Sequence, residues 1–496
     1  MARQRTPVMG FAVLRRLGAG LKPVGLFMLA VVLAVGVGAA AAHNGAVAIT
    51  VAVLFGLAAW VTITILCPVG ALVALWAFLL PIWSVSSLDP LVFDVARMAL
   101  ALSVVVKTRS SGNKVVTRIA LAIGVTGAFL ILVGLSRGDA SAVTLGYTMT
   151  IASVAAWMVL SRVTDRRVFY RGYLAGVTLS AVVLIMSAAG WSVLTPLDDP
   201  GFSRLTGLSP SATLVTYELA VGVLVGICMF GRGRRVWFAF ATIACLVALL
   251  LSGGRGGVLA LALALAVALR WGWVKIIPGL LLTGAAYVPL SIMSGSGFTF
   301  NTLTRLFAPS DVHSFNPEES RQYLLDISIQ AALREPIAGL GMEQFYSMYL
   351  WLPHTALLTF QIAGGILPAL IIFVIFMAML RKMLFRGPQE PGGMARLGHL
   401  LLAVMTVQIL LEANGPFVGT EGVALLMLAL SSVAPTTPQP PSDPHVETSP
   451  EGDGAALRLR PHSSPDVVSR ADFQDAVHDA QFPGPRVAGR QRQQVR

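Results

Sequence analysis

The sequence predicts an all-α fold: a polytopic membrane helical bundle of about 12–14 transmembrane helices with one large extracytoplasmic loop containing an amphipathic helix. Three observations predict it. Only 12% of the 496 residues are charged and 55% are hydrophobic, with a mean hydropathy of +0.75, whereas a soluble chain carries about 25% charged residues. The apolar residues fall into blocks of roughly 17–25, the length of helix that crosses the hydrocarbon core of a bilayer. The blocks are continuous rather than alternating, so their backbone groups pair within helices and not across the strands of a barrel.

Residues 1–23 form a basic N-terminal segment, expected in the cytoplasm, with Arg3, Arg5, Arg15, Arg16 and Lys22. The apolar block 24–42 that follows is longer than the roughly 7–15-residue core of a signal peptide. It therefore reads as an uncleaved first span, although Ala40-Ala41-Ala42 resembles a cleavage site. A first transmembrane bundle over 24–293 continues with spans 45–66, 68–84, 90–106, 118–136, 142–161, 171–190, 211–230, 236–252, 256–270 and 273–293. An extracytoplasmic loop occupies 294–354, and C-terminal spans 355–380, 397–413 and 415–434 complete the region 355–434. The tail, 435–496, is rich in Pro, Ser and charge and cannot bury enough apolar surface to order itself, so it reads as a disordered cytoplasmic tail.

Orientation follows from the basic residues. With the N-terminus inside, the inner loops hold Lys107, Arg109, Lys114 and Arg118; Arg162, Arg166, Arg167 and Arg171; Arg232, Arg234 and Arg235; Arg270 and Lys275; and Arg381, Lys382, Arg386 and Arg396. The outer loops hold only Arg137, Arg204, Arg255, Arg305, Arg321 and Arg334. This places both termini in the cytoplasm of a multi-pass protein of the cytoplasmic (plasma) membrane. The formal net charge of +12 is thereby used in topology and calls for no nucleic acid. The three cysteines lie in or beside apolar spans and the seven histidines lack ligand spacing, so neither a disulfide framework nor a metal is expected, and no cofactor.

The outer loop is the one soluble-looking stretch. Asn316 suits an N-cap, Pro317 a first helical position and Glu319 a capping-box position. Leu324, Ile327 and Ala331, and likewise Leu325, Ile329 and Leu333, recur at helical spacing until Pro336 ends the helix. The turn Ala338-Gly339-Leu340-Gly341 follows, and the chain re-enters the bilayer through Trp351-Leu352-Pro353-His354.

Candidate chemistry gathers at this face. Arg204, Arg321 and Arg255 present planar guanidinium forks that suit phosphate oxygens. His354 titrates near neutrality and can take a proton from an attacking hydroxyl. The same side chains also suit plainer duties: the arginines at lipid headgroups, His354 as an interfacial anchor, and Arg255 as a turn residue in Ser252-Gly253-Gly254-Arg255. Within the spans, Asp94 and Arg97 stand one helical turn apart and can neutralise each other. Glu218 has no partner nearby in sequence, and an intramembrane acid is either a functional group or half of a pair with another helix. Glu412 and Glu421 border the last loop and read as solvated.

The order Arg321, Pro336-Ile337-Ala338-Gly339-Leu340-Gly341, Phe345, Pro353-His354 and Gly364-Gly365 resembles the O-antigen ligase / O-antigen polymerase superfamily. Arg204-Leu205-Thr206-Gly207 before one span and Ser252-Gly253-Gly254-Arg255 after the next one extend the likeness, which covers about 200–434. There are departures. His354 is followed by Thr355 where the family usually has Asn, Leu324 and Leu325 replace an aromatic residue, and Ser209-Pro210-Ser211 replaces a Pro-Asn. The resemblance implies a metal-independent membrane glycosyltransferase, ligase or polymerase, of cell-envelope polysaccharide biosynthesis. Its donor would be a glycan on a polyprenyl diphosphate such as undecaprenyl diphosphate. Its acceptor would be a glycan, lipid or cell-wall hydroxyl, with membrane lipids around it. Carried over, Arg204, Arg321 and Arg255 would hold the diphosphate and His354 would be the general base or the group that orients the acceptor, with Glu218 a further candidate at the substrate. Two other classes stand beside this one: a transporter or flippase of lipid-linked glycan or a small solute, and a non-catalytic scaffold in envelope assembly.

Overall fold

A computed structural model describes residues 45–83, 90–109, 112–163, 165–189, 191, 205–209, 211–230, 235–271, 317–350, 353–385, 393–413 and 415–432. The expected spans 24–42 and 273–293, the N-cap Asn316 and the tail lie outside them, as does Arg204. The chain divides into Met1–Pro435 and Thr436–Arg496, and every described residue belongs to the first unit.

Among the described residues the structure is all-α. The helices are α1 (Gly45–Leu66), α2 (Val69–Leu79), α3 (Pro90–Lys107), α4 (Lys114–Arg137), α5 (Ala140–Leu160), α6 (Arg166–Ala188), α7 (Ala212–Met229), α8 (Arg235–Leu251), α9 (Arg255–Arg270), α10 (Pro317–Arg334), α11 (Met342–Tyr349), α12 (Ala356–Gly364), α13 (Ile366–Phe385), α14 (Gly393–Leu411) and, after a 3-10 turn at Gly415–Phe417, α15 (Thr420–Ser432). Four of them, α4, α5, α6 and α13, are long and apolar enough to cross a membrane. Their outer surfaces fit that medium. Leu121, Leu132 and Leu135 on α4 are each about two-thirds exposed, and Val374 on α13 is 58% exposed. An apolar belt of this size is at home against lipid and not against water. The chain is a helical membrane protein.

Local chemistry starts the helices where hydropathy places them. Asn113 accepts from the N–H groups of Val115 and Val116, Asp139 from Ala142, Asp165 from Arg167, and Ser211 from Leu214. Each satisfies a donor that the first helical turn leaves unpaired. The centre of the bundle is α15. Its residues from Val423 to Ser431 are all buried, packed among α4, α5 and α14, as expected of a helix apolar all round.

Three expectations are corrected. The block 68–84 is an 11-residue helix, α2, followed by a turn. At about 1.5 Å per residue this covers about half a bilayer core. The block 415–434 contains a 13-residue helix, α15, preceded by the 3-10 turn. The block 355–380 is two helices, α12 and α13, broken at Gly365, whose φ of 81° and ψ of −162° no helix contains. There the loop after α10 enters: Ile337 C=O accepts from Ile366 N–H at 3.3 Å and Ile362 C=O from Gly341 N–H at 2.9 Å. Hydropathy alone does not register such a break, because glycine interrupts neither an apolar run nor its average.

Candidate functional site

Polar side chains meet at one end of the bundle, where short helices stop inside it. The turn after α2 leaves carbonyls without helical partners, and Arg97 of α3 supplies them. Its Nε donates to Leu79 C=O at 3.1 Å, and its Nη2 to Leu80 C=O at 3.2 Å and Ile82 C=O at 2.6 Å. Its Nη1 reaches Asp94 at 2.7 Å, so the expected pairing within α3 is present. Arg97 is 2% exposed and Asp94 51%. The Trp83 ring lies 5.1 Å from the guanidinium carbon, a cation–π contact.

Beside this stands Glu218. Its carboxyl is buried on α7 and accepts from Ser209 Oγ at 3.1 Å. The carboxyl of Glu421, in the first turn of α15, lines the same small cavity as that of Glu218. Tyr173 Oη of α6 donates to Glu421 Oε1 at 2.5 Å. The indole N–H of Trp83 lies beside Glu421 without a well-formed hydrogen bond. Glu421 is 4% exposed, which corrects the solvated reading. The segment 415–419 folds under the end of the bundle, with Phe417 against Phe360 and Gly419 against the Trp83 ring. The other acid, Glu412, is half-buried and accepts from Tyr217 Oη at 3.4 Å.

Arg255 opens α9. Gly256 lies against the hydroxyl of Tyr217, and Gly257 N–H donates to Thr216 Oγ1 at 3.2 Å, so the start of α9 rests on the residues just before Glu218. His354 is exposed, two residues ahead of Ala356, which abuts Gly415. Thr355 caps α12 by accepting from Leu358 N–H at 3.4 Å. Contacts of Ala356 with Gly415, and of Tyr217 with Glu412 and Gly256, link the start of α12, the 412–415 segment and the start of α9. Arg321 lies in the first turns of α10, a helix that packs on α12. Leu324, Ile327 and Ala331 form the buried face of α10 and Leu333 its most open one. Side-chain placement is described from Gln322 onward. The segment after Arg204 turns inward: Leu208 N–H donates to Ser180 Oγ at 3.3 Å and Ser209 reaches Glu218.

Sequence reasoning missed Glu421 as the acid that shares a cavity with Glu218, and Tyr173 as the partner of Glu421. The available signal was an acid at the head of an apolar helix. It also missed Asp139, whose second carboxylate oxygen accepts from Met342 N–H at the start of α11. Chemically, the arrangement offers an exposed imidazole, an arginine at a helix start and an enclosed carboxyl pair. No family model matches the chain, and no curated protein matches it. The fold and the cluster define a polytopic helical membrane protein with a polar end built from short and broken helices.

Proposed function

We propose that the chain is an integral membrane glycosyltransferase, a ligase or polymerase that moves a glycan from a polyprenyl-diphosphate carrier to an acceptor hydroxyl at the outer face of the cytoplasmic membrane. The observation that supports the reading is the set of contacts at this end of the bundle: α10 packs on α12, the start of α12 just after His354 abuts Gly415, and Tyr217 links Glu412 to the start of α9 at Arg255. Orientation by the basic loops assigns this end to the exterior. His354 is exposed there and takes the acceptor's proton. Arg321, Arg255 and Arg204 hold the diphosphate, whose charge on leaving is stabilised by fixed guanidinium groups without a metal. Glu218, enclosed by protein, supports the site from behind instead of touching the substrate.

A second reading, a transporter or flippase, has its own support. The buried Glu218–Glu421 pair and the helix broken at Gly365 are features that solute pathways use. Deletion of the gene separates the two. Loss of one surface glycan with its lipid-linked precursor exposed on the outer leaflet supports transfer; accumulation on the inner leaflet supports the flippase. Within the transfer reading, His354→Ala and Arg321→Ala each abolish transfer at unchanged protein level. Undiminished transfer in both rejects the site.

A further inference from the structure

Glu218 and Glu421 pose a problem of valence that the transfer chemistry leaves open. Each carboxyl has one oxygen satisfied by a hydroxyl, from Ser209 and Tyr173 respectively. The other oxygen of each, Oε2, is buried and receives no donor among the described residues. A carboxylate carries acceptors only, so the two open oxygens on the acids of one enclosed site can be joined by a hydrogen bond only when a proton sits on one of them. Charge points the same way: Arg97, the cation that acts on both acids, is already paired with Asp94 at 2.7 Å, so the two buried carboxyl groups lack a counter-charge of their own. An uncompensated charge in such a place is strongly destabilising.

The two acids also line a cavity of about 20 Å³, shared with Trp83, Tyr217 and Gln408. That is room for one water molecule, a route by which a proton can come and go. We propose that Glu218 and Glu421 form a proton-binding site within the bundle, a single proton held between their Oε2 atoms and exchanged through water in the adjoining cavity. The charged and titratable groups on the elements around it are Arg97 and Asp94 on α3, Tyr173 on α6, Tyr217 on α7 itself, Cys245 on α8, Arg255 at the head of α9 and Glu412 just past the end of α14. Among these, Arg97 is the cation that acts on both carboxyl groups. The site stands independently of the transferase reading and would serve a transporter equally well.

The test uses the full-length protein in lipid nanodiscs and infrared difference spectra on exchange of H2O for D2O. Wild type is expected to show the carbonyl stretch of a buried protonated carboxylic acid that shifts down in D2O. Both Glu218→Gln and Glu421→Gln are expected to lose it, because the glutamine amide donates to the remaining carboxylate and no proton is needed. A band that survives in either single variant means two independent acids and overturns the shared site. A wild type without the band means two carboxylates, and a sodium-dependent change in the carboxylate bands would then identify a metal cation in place of the proton; either result sinks the proposal. If the glutamine variants are not monodisperse, Tyr173→Phe removes the hydroxyl from Glu421 and is expected to displace the band. An unmoved band overturns the assignment.

Discussion

Asp139 and Met342, 203 residues apart in sequence, are joined by a hydrogen bond from the Met342 backbone N–H to Asp139 Oδ2 at 2.5 Å. The other oxygen, Oδ1, accepts from Ala142 N–H at 2.8 Å. One carboxylate therefore caps two helices, α5 on its own side and α11 on the other. The turn between α4 and α5 adds two more links: Arg137 donates to Gly339 C=O at 2.6 Å, and Ala140 N–H donates to Glu343 Oε1 at 3.1 Å. This staple fixes the Pro336–Gly341 turn over the break between α12 and α13, and so fixes the segment that leads to His354.

Asp139→Ala removes both caps at once. Each cap contributes about 1 kcal/mol, and the side chain is 5% exposed, so water does not replace it freely. The expected outcome is a loss of about 2 kcal/mol and a melting temperature several degrees lower in detergent. Asp139→Asn, which keeps one oxygen, falls between. An unchanged melting temperature in Asp139→Ala would show that the staple carries no stability.

Most helices were legible because apolar blocks and N-caps act locally. Asn113, Asp165 and Ser211 open α4, α6 and α7 close to where the hydropathic blocks begin. The Asp94–Arg97 pair was legible for the same reason, since three residues apart on a helix is a contact. What Arg97 does for the carbonyls of α2 was not, because nothing in α2 announces that it stops short. Glu421 misled for a physical reason. An acid beside a Gly-Pro turn reads as wet unless the turn folds inward, and only the packing of Phe417 on Phe360 reveals that it does. The candidate site was half legible: the residue types at the loop end could be named, whereas their partners, contributed from α6, α7 and α15, could not.

Gly365 tests whether the break between α12 and α13 is required. Its backbone, at φ 81° and ψ −162°, lies in a region essentially restricted to glycine, and a Cβ there would collide with the Ile337 carbonyl. Gly365→Ala is expected to cost more than the about 1–3 kcal/mol of backbone strain alone, seen as low yield of folded protein. Gly138→Ala is the control. It too has a positive φ, 70°, but nothing lies within 4 Å of an added Cβ, so its cost stays at about 1–2 kcal/mol. Equal behaviour of the two variants would mean that the carbonyl contact at Gly365 is unimportant.

The orientation rests on α4. Its 24 residues span about 36 Å at 1.5 Å per residue, enough to cross a hydrocarbon core of about 30 Å. Its start carries exposed Thr117, and its end is stapled to α11, which carries exposed Ser347. Cys67 and Cys245 are buried and Cys228 half-buried, so a cysteine-free background is obtained by replacing three residues away from both positions. In that background a membrane-impermeant maleimide applied to intact cells is expected to label Ser347→Cys and to label Thr117→Cys only after the membrane is opened. The opposite pattern would put His354 and the carboxyl pair at the cytoplasmic end, where a lipid-linked glycan awaiting transfer outside could not reach them, and the transferase reading would fall with the topology.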